Sequence, residues 1–377
     1  MASKNKNRRY ETSQPVAIIK DKIPLVSVII PMYNSAKFIP QTLESLLYQT
    51  MKDFEVVVVD DCSTDNSVEV VEGFKERFAT GGGVKLSVIK LPKNTGTPCL
   101  PRNVGIQFAR GKYLAFLDND DFFFKTAFEE LTTLAEENNA DVINMTNVFG
   151  VKYDGFDLKE LLKTVSRQID NFRELRLPHL PKVTEVSEDL AKRLGLWLNN
   201  GFQWATWNSF CKRDFWVENQ INFPFMPVSD DMVANFACLC RAKKIILVPN
   251  MLYIHRERSD SISQKNDDVE EFFHKWLRNL ILGFQSVERI MSGMPFFDAH
   301  LDYRYAVLEW FFNRLIDDAK HFPAIYSQIH PALLDSLAEK EFHSDDVIFS
   351  AYLFNTVNLQ RLQIMRLQQE LAKFQKQ

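Results

Sequence analysis

The chain has 377 residues, 46% hydrophobic and 25% charged, which suits about two or three domains around a large buried core. A net charge of −4 gives no global attraction to polyanions, so no nucleic-acid partner is expected. No run of about 18 apolar residues is present to span a bilayer, and the five cysteines (Cys62, Cys99, Cys211, Cys238, Cys240) match no zinc spacing and cannot all pair, as expected for buried thiols in the cytoplasm.

Residues 1–22 read as a polar tail. Its cations Lys4, Lys6, Arg8 and Arg9 lack the apolar segment of a signal peptide and suit either solvent or an anionic membrane surface at the inner face. Leu25–Ile30 is a β-branched apolar run ended by Pro31, as in a buried parallel strand. Phe38, Leu43, Leu46 and Leu47 share one helical face, and Phe54–Val59 is a second strand running into Asp60 and Asp61. Ser63 and Thr64 then offer caps for a helix carrying Val68, Val71 and Phe74. A third strand spans Leu86–Leu91. Pro101 opens a helix through Ile106 and Phe108 that Gly111 closes, and Tyr113–Leu117 is a fourth strand ending at Asp118. This alternation predicts an α/β fold with a mostly parallel sheet flanked by helices.

Residues 150–185 show little periodicity and read as an insertion or loop. A helix near Asp231–Arg241 and a strand at Lys244–Val248 follow. Beyond Gln264 a C-terminal helical region is expected, carrying the stripe Phe273, Trp276, Leu277, Leu280, Ile281 and Phe284. At its end Val357, Ile364 and Leu371 occupy heptad a, and Gln360, Leu367 and Phe374 occupy d, a short seam suited to homo-oligomer formation.

Ligands of such sheets bind beyond the carboxyl ends of the strands, where Pro31–Asn34, Asp60–Asp61 and Asp118–Asp121 should converge. Three acids among Asp118, Asn119, Asp120 and Asp121 repel unless a cation neutralises them. Mg²⁺ or Mn²⁺ holding a diphosphate is one reading and a solvated Asp-rich turn the other. Asp60 and Asp61 suit either a nucleoside or a helix cap. Tyr33 suits either a stacked base or the core rim, and Arg102 either a phosphate at a helix start or a surface position. Asp230 and Asp231 precede an apolar helix, as caps or as a general base. After a strand-like Val248–Ile254, the arginines Arg256 and Arg258 suit phosphate, while His255 suits a metal or an ordinary polar role.

In this order, VSVIIPMYN (Val26–Asn34), VVVDDCSTDNS (Val57–Ser67), NTGTPCLPRNVG (Asn94–Gly105), GKYLAFLDNDD (Gly111–Asp121), SDDM (Ser229–Met232) and YIHRERSDSIS (Tyr253–Ser263) resemble the family 2 glycosyltransferases with the GT-A fold. The resemblance covers about residues 24–263. It implies a catalytic domain over 23–263, with a nucleotide-sugar-binding half at 23–150 and an acceptor half at 186–263, before a helical region at 264–377. It further implies that Pro31 and Tyr33 pack on a base, usually uracil, that Asp61 binds it, and that Arg102 lies near the donor phosphates. Asp118 would take the ribose or sugar side, Asp120 the metal with His255 as a further ligand or phosphate contact, and Asp231 the role of general base with Asp230 supporting it. Two residues depart from the pattern: Asp230 stands where Glu is usual, and Cys62 where Gly is usual.

The reaction so implied is inverting transfer from a nucleotide sugar, with a UDP-sugar expected, to a hydroxyl of a glycan or lipid-linked glycan of the bacterial surface. A sugar nucleotidyltransferase is disfavoured because no Gly-rich phosphate loop follows the first strand. An inactive nucleotide-sugar-binding protein is disfavoured because every acid the chemistry needs is present.

Overall fold

The computed structural model describes residues 22–152, 183–226, 229–257 and 282–317. Residues 1–21 of the polar tail, most of the 150–185 segment, Arg258, residues 273–281 of the aromatic stripe and the terminal heptads lie outside the described residues.

The chain alternates as expected: β1 (Val26–Met32), α1 (Ile39–Leu47), β2 (Phe54–Asp60), α2 (Ser67–Thr80), β3 (Lys85–Lys90), α3 (Cys99–Phe108) and β4 (Tyr113–Phe116). These four strands lie parallel in the order β3-β2-β1-β4, so β1, β2 and β4 finish on one edge. Every residue of β1, β2 and β4 is buried, which is why they read as largely apolar runs; the polar Ser27 of β1 and Glu55 of β2 are buried against each other, Ser27 Oγ donating to Glu55 Oε1 at 2.7 Å.

The second half of the sheet is mixed. β9 (Ser209–Lys212) runs antiparallel between β4 and β6 (Val142–Met145), and β10 (Ile245–Val248) lies parallel to β6. β8 (Thr184–Val186) closes the edge antiparallel to β10. A second, three-stranded sheet joins β5 (Phe122–Phe123) and β7 (Phe149–Lys152) to the two sides of β11 (Tyr253–Glu257). α4 (Ala127–Asn138) lies between β5 and β6 in sequence.

Three boundaries differ from expectation. Pro31 does not end β1, because its position pairs with Val59 of β2. The register with β4 has stopped at Ile29, so the missing N–H of Pro31 costs no ladder bond on that side. Ser63 and Thr64 do not cap α2, which starts after Asn66; the Ser63 hydroxyl and the Thr64 amide instead bond Asn34. His255 and Arg256 lie within β11 rather than after it.

Two apolar layers sandwich the main sheet. Val26, Val28 and Ile30 face α1, α2 and α4, while Ile29 faces the layer that includes Ile106, Trp216 and Phe236. That second layer is built from α3, α5 (Leu190–Leu198), α6 (Arg213–Glu218) and α7 (Asp230–Arg241), with the helix Leu301–Asp317 laid against α5. Trp197 of α5 is the hub, with ring centroids 5.5 Å from Phe236 of α7, 5.0 Å from Trp310 and 5.9 Å from Phe311. The described part of the C-terminal region therefore packs on the helices that cover the sheet. No helix among the described residues is long and apolar enough to cross a membrane.

Gly111 closes the turn before β4 hard against β1. An added Cβ would stand 2.5 Å from the Ser27 nitrogen and 2.7 Å from the Val26 carbonyl carbon, both backbone atoms of a central strand. Gly111→Ala is expected to cost about 1–3 kcal/mol, the usual scale of core overpacking, read as a lower denaturant midpoint.

Candidate active site

The sheet edge gathers the acids and Tyr33 on four supports, the ends of β1 and β2, the turn after β4 and the start of α7, while Arg102 comes from α3 and His255 and Arg256 from β11. Six non-glycine residues in the described chain have positive φ, and three of them, Asn34, Cys62 and Ser229, stand on these supports. Strain of this kind persists where surrounding bonds hold it. At Asn34 those bonds are visible: its side-chain oxygen accepts from the amides of Thr64 (2.8 Å) and Asp65 (3.3 Å). Cys62, at φ +62°, occupies the position where the resemblance has Gly. Cys62→Gly should remove about 1 kcal/mol of left-handed strain, partly offset by the freer unfolded chain, so equilibrium melts should shift upward only slightly.

Tyr33 is exposed and can offer its ring to a base; Pro31 cannot, because it is buried and its carbonyl accepts from Asn119 Nδ2 at 3.0 Å. Asp60 is buried and accepts from the Ser63 amide. Asp61 is buried too, taking both the amide and the hydroxyl of Thr95 at about 3.0 Å, which ties the loop after β3 to the end of β2. Burial pushes its carboxyl above the ordinary aspartate value, against the Thr95 hydrogen bonds. Thr95 is a contributor that sequence reading missed.

The three clustered acids take different fates. Asp118 and Asp120 remain part-exposed at the cleft. Asp121 turns inward, fully buried, and accepts from Tyr253 Oη (2.7 Å), the Arg256 amide (2.7 Å) and His255 Nδ1 (3.1 Å). It fastens the small sheet to the end of β4 and is not a third metal carboxylate.

His255 is thereby oriented, with Nδ1 committed to Asp121 and its ring stacked on Trp207 at 5.5 Å and 7°. Trp207 also stacks on Tyr253, a platform that no sequence pattern marks. The hydrogen bond to Asp121 is the main cause that raises His255 to about 9, so a cation at the other ring nitrogen must displace a proton. Carboxylate-oriented imidazoles of this kind are common behind metal ions. No group of three or more His, Cys, Asp or Glu close enough to hold a metal forms among the described residues. The arrangement suits an ion that takes few protein ligands and shares the rest with substrate phosphates.

Arg256 corrects another expectation. It is buried, its guanidinium lying 4.5 Å from the Phe122 ring centroid and 5.5 Å from that of Phe38, with Nη2 donating to Gln41 Oε1 at 2.6 Å. It braces α1 against the second sheet rather than facing a ligand.

Arg102, expected at the surface or on a phosphate, is also buried. Nη2 meets Asp118 Oδ1 at 3.0 Å and Nη1 meets Asp230 Oδ2 at 3.1 Å. Asp230 is buried with it, while Asp231 beside it is part-exposed and accepts from the Met232 amide at 2.9 Å. Burial first, and then the charge of Asp230, push Asp231 up to about 7, against the pull of Arg102. Burial raises the Asp230 carboxyl as well, against the charge and hydrogen bond of Arg102, so the two acids titrate as a pair, and Asp231 is the member left part-exposed and free of an arginine hydrogen bond.

Residues 27–186 match the family model described as Glycosyl transferase family 2. This chain carries a family 2 glycosyltransferase domain. Over 243 residues it is 29% identical to the uncharacterized glycosyltransferase EpsJ of Bacillus subtilis, covering 64% of each chain. Over 119 residues it is 40% identical to the poly(ribitol-phosphate) beta-N-acetylglucosaminyltransferase TarS of Staphylococcus aureus, covering 31% of this chain and 20% of that one. It thus spans less than two thirds of the length of these relatives. The crystal structure of TarS 1–349 in complex with UDP-GlcNAc superposes with a TM-score of 0.51 at 24% identity, over 71% of both chains. The family 2 domain therefore has the GT-A type of fold anticipated from its motifs.

Proposed function

We propose that this protein is a metal-dependent inverting glycosyltransferase that moves a sugar from a UDP-sugar to a hydroxyl of a glycan or lipid-linked glycan. The observation that carries the reading is Asp231, a carboxylate held at about 7 at the head of α7, beside the acids that end β4. A carboxylate so tuned takes a proton from an acceptor hydroxyl at neutral pH without staying protonated itself. Asp230, held by Arg102, keeps the head of α7 in place. Tyr33 and the β2 end, with Asp61, form the side suited to a nucleoside, and Asp118 the side suited to the donor sugar or ribose.

Asp120 and His255 would hold a divalent cation, which supplies charge neutralisation for the leaving diphosphate. The excess of acids around a single arginine and a Asp121-oriented imidazole fits such an ion. The naming of TarS as a poly(ribitol-phosphate) transferase favours a polyol-phosphate or related surface glycan as acceptor. The same reading takes the catalytic unit to span 23–263 of a cytoplasmic protein, allows its basic tail to touch the inner face of the membrane, and allows self-association through the seam from Val357 to Phe374.

The test is a panel of nucleotide sugars incubated with the protein, with Mn²⁺ or with EDTA. Consumption of a UDP-sugar that stops with EDTA is the expected result. Metal-independent turnover removes the metal from the reading, and no turnover of any donor removes the enzyme.

A further inference from the structure

Arg102 joins two parts of the chain far apart in sequence, with 16 residues separating it from Asp118 and 128 from Asp230. Each terminal nitrogen is committed to a different carboxylate, at 3.0 and 3.1 Å, and the guanidinium carbon lies 5.4 Å from the centroid of the Phe223 ring. Phe223 is itself fixed to α3 by a reciprocal pair with Asn103: Asn103 Nδ2 donates to the Phe223 carbonyl at 2.8 Å, and the Phe223 amide donates to Asn103 Oδ1 at 2.9 Å. The Nε of Arg102 is buried and meets no hydrogen-bond acceptor among the described residues. A guanidinium recognises a phosphate by presenting two parallel N–H groups to it. Here that fork is spent on the protein's own acids, so an incoming diphosphate would have to displace the part-exposed Asp118 and the buried Asp230 to take both N–H groups.

We infer that Arg102 is a positioning residue that ties the donor-side Asp118 to Asp230 at the head of α7 and so fixes Asp231 relative to the donor, rather than a ligand of the donor phosphates. The inference rests on the proposed transfer reaction. A lysine cannot replace this role, because one ammonium lacks the planar fork that spans two carboxylates from one fixed position. Removing the guanidinium also leaves Asp118 and Asp230 as uncompensated neighbours, which draws α7 away from β4.

The experiment compares the wild type with Arg102→Lys, Arg102→Met, Asp230→Asn and the Arg102→Met/Asp230→Asn double variant, using UDP-GlcNAc with Mn²⁺. The expected result is a fall in kcat of about 10²-fold in Arg102→Met, the scale on which misplacement slows a reaction, with KM for UDP-GlcNAc moved less than about threefold. Arg102→Lys should recover only part of that loss, and the double variant should be scarcely worse than Arg102→Met, because the two residues act through one contact. A rise of tenfold or more in KM with kcat kept overturns the inference and gives Arg102 to the diphosphate. Additive losses in the double variant overturn it as well. Thermal melts of the same proteins without nucleotide decide the clamp independently of turnover: coupled shifts support it, and additive shifts reject it. Failure of the wild type to use UDP-GlcNAc would count against the donor assignment alone, while the melts still judge the clamp.

Discussion

Asp231→Asn is expected to lower the transfer rate by about 10²–10⁴-fold, the scale of a lost general base, with donor binding little changed. Asn keeps the shape and can still accept from the Met232 amide, but it cannot take a proton. In the wild type the rate should rise with pH through about 7 as Asp231 loses its proton, and that limb should vanish from the residual activity of the variant. Stability should move the opposite way. The folded-state pKa, about 7, lies above the ordinary 3.8, so the native protein binds this proton more tightly than the unfolded chain. Below both values the group is neutral in both states and contributes no difference. As pH climbs from one value to the other, the native state increasingly bears a poorly solvated charge beside that of Asp230, and above about 7 it bears it in full. Asp231→Asn should therefore melt higher than the wild type at pH 8, with the gap closing toward pH 4. Asp230→Asn should cost less activity, and the reverse ranking would transfer the role of base to Asp230.

Asp120→Ala is expected to abolish transfer together with the Mn²⁺-dependent part of UDP binding, with thermal stability nearly unchanged because the side chain is part-exposed in a turn. Calorimetric titration of UDP with and without Mn²⁺ reads this without requiring an acceptor. Retention of near-normal turnover by the variant in EDTA would remove the metal from the mechanism. Because His255 carries a proton to about 9, Mn²⁺ binding should also weaken as pH falls, with proton release on binding.

Much of this edge was legible in the order of residues because its strands are covered on both faces. Apolar runs such as Ile29–Ile30 and Val56–Val59 have no solvent side to interrupt them, so the polar residues that follow mark where the strands stop. The partners of those polar residues were not legible. Asp118, Asp120 and Asp121 look alike in sequence, and only the turn into β5 decides that Asp121 points inward to Tyr253 and His255. Arg102 and Asp230 meet through the packing of α3 against the α7 head, a contact without local periodicity. Arg256 looked free for phosphate because its strand was placed too early; in β11 it is directed between Phe38 and Phe122.

The same helix that carries Asp231 at its head is gripped at its tail. Arg193 of α5 donates to the carbonyls of Leu239 and Ala242 at the end of α7 and, at 3.0 Å, to that of Lys243 just beyond. These are the carbonyls a helix leaves unsatisfied at its carboxyl end, where a cation is also favoured by the helix dipole. Trp197 stands on the same α5, four residues along, and takes Trp310 and Phe311 onto its face. Ending the chain at residue 263, where the motifs stop, would strip those rings from Trp197 and slacken a helix that anchors the tail of α7. A shortened chain of this kind would keep every acid of the cleft in its sequence yet hold the head of α7 less steadily, so the helix Leu301–Asp317 works as ballast for residues far from it in sequence.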